Sequence, residues 1–175
     1  MISDLMEMSG ATIRSTKPAS YGVCISTSSM AHTSGPVIQI HMDVNARELL
    51  VLDAETANWV IKAARKLEAL GQLKRNWDSH DGLPLSQEAK RMTFDALKWL
   101  KNQDLPVPAV VLGSGGTVHL EWRSKGKELE IGFDDRGFAE YLKVDSHGEM
   151  EEEEDINDEI REKLMTLVEW LKKND

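Results

Sequence analysis

The chain has a single cysteine, Cys24, in 175 residues. One thiol excludes an internal disulfide and a cysteine-built zinc site, and it fits a reducing compartment. Its expected role is that of a small buried hydrophobe. No stretch approaches the roughly 18 consecutive apolar residues that cross a bilayer. The first residues include Asp4 and Glu7, where a secretory leader carries cations. The expected location is therefore the cytoplasm, away from membranes. Basic charge is also in deficit: 21 Lys and Arg face 30 Asp and Glu, a net charge of −9. Phosphate contacts dominate nucleic-acid affinity and anionic membranes repel the same sign, so direct binding to either is not expected. The expected partner is a protein with a basic or apolar surface, and a homodimer is left open. No motif implies a cofactor.

What is present is an ordinary globular composition, 41% hydrophobic and 29% charged, in a length suited to one sizeable core. Residues 1–20 are rich in Ser, Thr, Met and Gly without a sustained period, which predicts a loose arm. Residues 21–52 hold short β candidates at Tyr21 to Ser26, Val37 to Val44 and Glu48 to Leu52. These either extend the main sheet or form a small separate ribbon. Residues 53–175 carry the main α+β core.

Within that core, Asp53 is a candidate N-cap for a helix from Ala54 to about Leu70 with Gly71 as its stop. Its apolar stripe is Val60, Ile61, Ala64 and Leu67. Ser86 caps a second helix from Gln87 to about Asn102, which ends before Leu105-Pro106-Val107-Pro108. Strands follow at Ala109 to Leu112, Thr117 to Arg123, Lys127 to Asp134 and Phe138 to Val144, separated by glycine-containing turns. Val118, Leu120 and Trp122 share one face with Leu129, Ile131 and Phe133, whereas His119, Glu121, Glu128 and Glu130 take the other. The acidic run Glu149 to Asp155 reads as a solvated lead-in to a last helix with apolar positions Ile156, Ile160, Leu164, Leu167, Val168 and Leu171. The fold class is therefore α+β: a mainly antiparallel meander of four or more strands packed on about three helices.

Between the helices runs Asn76-Trp77-Asp78-Ser79-His80-Asp81-Gly82-Leu83-Pro84. Further on come Gly115-Gly116-x-Val118-x-Leu120-Glu121-Trp122 and Glu128-Leu129-Glu130-Ile131. From Leu67 to Leu142 the chain resembles a family of small bacterial and phage proteins that carry an Asn-Trp-Asp-Ser-Tyr-Gly-Ala-x-Pro loop and a Leu-Glu-Trp, Leu-Glu-Ile hairpin. His80 stands where that pattern has Tyr, and Asp81-Gly82 where it has Gly-Ala. The resemblance implies the fold and brings no activity or catalytic residues with it.

Three groups could carry chemistry. The loop places Asp78, Ser79, His80 and Asp81 in succession, but adjacent residues on one loop rarely reach the geometry of a nucleophile, base and orienter. Asp78, His80 and Asp81 are also candidate ligands for manganese or zinc, though without a recognised ligand spacing. The structural expectation is that Asp78 and Ser79 accept backbone hydrogen bonds in a turn while Trp77 plugs the core beside the second helix, with Asn76 and Pro84 in the same structural motif. The second group is the acidic face. A two-residue turn at Lys125-Gly126 sets Glu121 opposite Glu130, a like-charge pair that Lys143, a cation or a basic partner would have to offset. The third is the glutamate run, a solvated segment or a phosphate mimic.

The favoured reading is a non-enzymatic interaction or regulatory protein: an inhibitor, an antitoxin-like protein or a phage or host-defence accessory factor. It is expected to bind another protein through the acidic sheet face, with His119, Glu121, Glu128 and Glu130, or through the N-terminal segment, a loose arm that could order on binding. The alternatives are a small metal-dependent hydrolase using Asp78, His80 and Asp81 with Glu121 and Glu130, and a nucleic-acid mimic.

Overall fold

A computed structural model describes residues 58–173 in full, together with the backbone of three earlier strands. These are β1 (Cys24–Ser28), β2 (Val37–His41) and β3 (Leu49–Leu52). They pair antiparallel in the order β1-β2-β3 as a sheet of their own, so of the two arrangements expected for this region the separate one forms. The arm over residues 1–20, the start of the first β candidate and the cap at Asp53 lie outside the described residues.

Helix α1 (Asn58–Leu70) buries Trp59, Val60, Ala63, Ala64, Leu67 and Leu70, one stripe of a 3.6-residue period. It stops before Gly71, whose N–H still bonds the Leu67 carbonyl. Helix α2 (Gln87–Leu100) starts where Ser86, in extended conformation, accepts the Ala89 N–H at 3.2 Å. The two helices are tied by Lys90 and Glu68, whose charges meet at 3.0 Å with both side chains largely buried.

The main sheet is a five-stranded meander in chain order: β4 (Ala109–Leu112), β5 (Val118–Ser124), β6 (Lys127–Phe133), β7 (Ala139–Val144) and β8 (Met150–Ile156). Every neighbouring pair is antiparallel. The apolar set of each central strand faces the helices: Val118, Leu120 and Trp122 on β5, Leu129, Ile131 and Phe133 on β6, and Ala139 and Tyr141 on β7, all nearly inaccessible. Helix α3 (Ile160–Lys172) completes the layer with Leu164, Leu167, Val168 and Leu171. Among the described residues no helix is long and apolar enough to cross a membrane.

The acidic run departs from expectation. It does not lead straight into a helix; Met150 to Ile156 is a strand, and α3 begins only at Ile160, after Glu159 in the left-handed region (φ 60°). Ile156 fits the helical period of the residues beyond it, yet it ends β8 opposite Ala139. Glutamate is a poor strand former, and its neighbours make up the difference. The Tyr141 hydroxyl donates to Glu151 at 2.6 Å, Lys143 pairs with Glu151 at 2.7 Å and Lys163 with Glu153 at 2.5 Å.

The turn between β5 and β6 fastens α3. Lys125 (φ 55°) and Gly126 (φ 78°) both occupy the left-handed region, the signature of a two-residue hairpin turn that suits strand twist. Lys125 Nζ donates to the Lys172 carbonyl at 2.6 Å and Lys127 Nζ to the Lys173 carbonyl at 3.1 Å. Cations there satisfy terminal carbonyls and oppose the negative end of the helix dipole. Lys127 is only 3% exposed and lies 5.1 Å from the Trp170 ring centre. Replacing Lys127 by Met keeps the apolar stem and removes the ammonium. It should lower unfolding free energy in urea by about 1.5–3 kcal/mol, the range for a hydrogen-bonded charged group. Lys125→Met, at an exposed site, should cost under about 1 kcal/mol.

Candidate functional site

The loop after α1 is built from hydrogen bonds that engage most of its polar groups. Asn76 (φ 65°) donates its N–H to the Gly82 carbonyl at 2.7 Å and accepts the Asp81 N–H on Oδ1 at 3.0 Å. Asp78 Oδ1 accepts two backbone N–H groups, from His80 at 2.8 Å and Gly82 at 2.9 Å. A side chain on Gly82 would meet that carboxylate at 2.7 Å, so glycine there makes the closure possible. Trp77 packs half-buried against the core and donates its indole N–H to the Leu83 carbonyl at 3.0 Å. The loop is then pinned to the β4–β5 turn: Leu83 N–H bonds the Ser114 carbonyl, and the Pro84 carbonyl occupies the space a Cβ on Gly116 (φ 80°) would need.

These bonds decide what the loop's chemistry-bearing residues do. Asp81 is held bidentately by Arg75 at 2.9 and 2.8 Å. His80 Nδ1 lies 2.8 Å from the Asp78 carbonyl, and no hydrogen bond joins it to the Ser79 hydroxyl. Among the described residues no three His, Cys, Asp or Glu side chains gather as a metal-holding group. Asn76, Trp77, Asp78 and Pro84 thus all serve the turn, while Ser79 (φ 63°) contributes its backbone through an N–H bond to the Asn76 carbonyl.

The open face of the five-stranded sheet is different. Register sets Glu121 opposite Glu130, and across the next two strands Glu130 opposite Leu142 and Leu142 opposite Glu152. One row along, Val111, His119, Gly132 and Glu140 stand side by side. Gly132 has a purpose here, since a Cβ would lie 2.6 Å from the Glu140 carboxylate, which folds across it. His119 Nε2 lies 3.0 Å from the Thr117 hydroxyl. Its Nδ1 is shielded from solvent, 2.8 Å from Glu130 Oε1 and 3.9 Å from Glu140 Oε1, without an aligned hydrogen bond to either. Arg123 meets Glu128 at 3.2 Å.

Lys143 is not the residue that offsets Glu121 and Glu130. Its register partner is Leu129, which points toward the helices, so Lys143 reaches Glu151 and the Trp170 ring on that side. Two sides of one sheet therefore carry acids with different partners. On the helix side Glu151 is drawn below the usual carboxylate range by Lys143 and the Tyr141 hydroxyl, and Glu153 raises its partner Lys163 above the usual lysine value. On the open side, among the described residues, Glu121, Glu128, Glu130, Glu140 and Glu152 are met only by Arg123 and His119. Glu140 and Glu152 were not singled out from sequence. Alternation along Ala139–Val144 contains the signal for Glu140, whereas Glu152 becomes legible only once the glutamate run is known to be a strand.

The cavities fit this division. The dimple in the open face between Glu121, Glu130, Leu142 and Val144 holds about 50 Å³. That is far below the roughly 300–1,000 Å³ of small-molecule sites, so this face is shaped as a surface. A larger groove of about 500 Å³, lined by Asn58, Trp59, Lys62, Asp104 and Val107 among others, contains neither the loop nor the acidic residues.

No family of known proteins, no curated protein and no solved structure matches this chain.

Asp78→Ala leaves two N–H groups without their acceptor and should lower the melting temperature by several degrees without altering the sheet's spectroscopic signature. Backbone hydrogen bonds, first from His80 and then from Gly82, hold the Asp78 carboxyl below its ordinary value. A depressed folded-state value contributes stability above the unfolded carboxylate range and loses it as pH falls through the folded one. The gap between wild type and variant should therefore be widest near neutrality and close in acid, which thermal melts across pH will show.

Proposed function

We propose that this chain is a non-enzymatic interaction or regulatory protein that binds a basic surface of another protein through the open face of its five-stranded sheet. An inhibitor, an antitoxin-like protein or a phage or host-defence accessory factor is the type proposed. The bacterial and phage setting rests on the loop and hairpin motifs and forms part of the same proposal. One observation carries the reading. Glu151 and Glu153, on the helix side of the sheet, are matched with lysines, while the open face sets Glu121 directly against Glu130. A facing like-charge pair costs a few tenths to about 1 kcal/mol, a cost that a basic partner removes when it docks. The engagement of the loop's carboxylates, and a dimple too small for a substrate, both support a surface function over a reaction.

Stability and binding should move in opposite directions. Glu121→Gln should leave the melting temperature unchanged or raise it, because it relieves repulsion. The double variant Glu121→Lys/Glu130→Lys should lose a partner that wild type captures from nuclease-treated host lysate. That capture should also weaken as salt rises from about 0.05 to 0.5 M, because exposed charge pairs are screened. A partner held equally well by the double variant would overturn the reading.

A further inference from the structure

The five-stranded sheet has two edges, and they are not equivalent. At one end β4 has four residues, preceded by Pro106 and Pro108, and α1 packs against it. At the other, β8 has seven residues, is exposed along almost its whole length and, among the described residues, pairs only with β7. Its outer row of N–H and C=O groups is a template for one more strand. We propose that this edge takes an extended, lysine- or arginine-rich segment of the partner protein as a sixth strand. The proposal rests on the reading of the open face as a basic-protein site and adds the mode of recognition.

The side chains of β8 specify what such a strand must look like. Glu151 and Glu153 turn toward the helices, where Tyr141, Lys143 and Lys163 already engage them. Glu152 and, two residues on, Glu154 turn the other way, continuous with Glu130 and Glu140, and no ion pair engages either among the described residues. Side chains on an added strand lie about 4.5–5.5 Å from those they face. Basic residues are therefore favoured at every second position of the incoming segment, those facing Glu152 and Glu154. The intervening positions meet neutralised carboxylates and favour small uncharged residues. Met150, 68% exposed, offers an apolar contact at the start.

The same pattern excludes a second copy of the chain, since two such edges laid antiparallel would set glutamate against glutamate. It also limits the length of pairing. Asp155 adopts φ 53° where the register with β7 shifts, and Arg136 holds its carboxylate at 2.7 Å. A bulge of this kind bends the edge, so the added strand runs alongside Met150 to Glu154.

The test uses two synthetic peptides of identical composition, one alternating Lys with Thr and one with its lysines in a block, added to the full chain. Binding is read by titration and by hydrogen exchange of individual amides. The expected result is tighter binding of the alternating peptide, slowed exchange at β8 amides, and a loss of roughly tenfold or more in affinity in Glu152→Lys/Glu154→Lys. That variant should melt as wild type does. Binding of both peptides alike with β8 exchange unchanged, or a loss confined to Glu121→Lys/Glu130→Lys, would overturn the edge proposal and leave the acidic-face reading standing. Failure of both basic peptides to bind would overturn both readings.

Discussion

The register of the β5–β6 hairpin is the constraint from which the other features follow. Lys125 and Gly126 allow a two-residue connection, so Ser124 faces Lys127 and every pair behind them is set. A slip of one residue would turn Trp122 and Leu129 outward and bury Glu121 and Glu130. The dry core and the acidic face are therefore a single structural choice. The lysines of the turn also lie where α3 ends, so the choice extends to the helix layer.

Rigidity of the acidic surface comes from the loops behind it. Three indole N–H groups each grip a loop carbonyl: Trp59 that of Gln103, Trp77 that of Leu83 and Trp122 that of Pro106. A buried tryptophan that finds an acceptor combines a large apolar contact with a directional anchor. The segments entering and leaving α2 are thereby held, and β4 and β5 present their outward residues from a fixed frame. A preorganised surface loses little conformational freedom when it binds.

Much of this architecture is legible in the chain itself. Ser86 caps α2, Lys125-Gly126 makes the hairpin, and alternation along β5 and β6 separates core from surface, because in each case a local rule and the global packing agree. The strand at Met150–Ile156 was hidden, since nothing in consecutive glutamates alternates. What makes them a strand is Tyr141, Lys143 and Lys163, up to 10 residues away. Lys143, one of three candidates for offsetting Glu121 and Glu130, drops out for a related reason: the pleat sends it to the opposite side. Gly132 and Glu140 show a third limit, because a glycine's service to a neighbouring carboxylate depends on a strand pairing that no local motif announces.

The meander also has a kinetic meaning. Each strand of the five-stranded sheet pairs only with its neighbours along the chain, so the sheet can form through a succession of short loop closures. Low contact order of this kind favours rapid folding. The distant contacts are fewer: Trp59 reaches Gln103 across 44 positions, and Lys125 and Lys127 reach the end of α3 across 47 and 46. These contacts join segments far apart in the chain, whose closure costs more entropy than that of a hairpin. Loosening them should mainly accelerate unfolding and leave the rate of sheet formation almost unchanged.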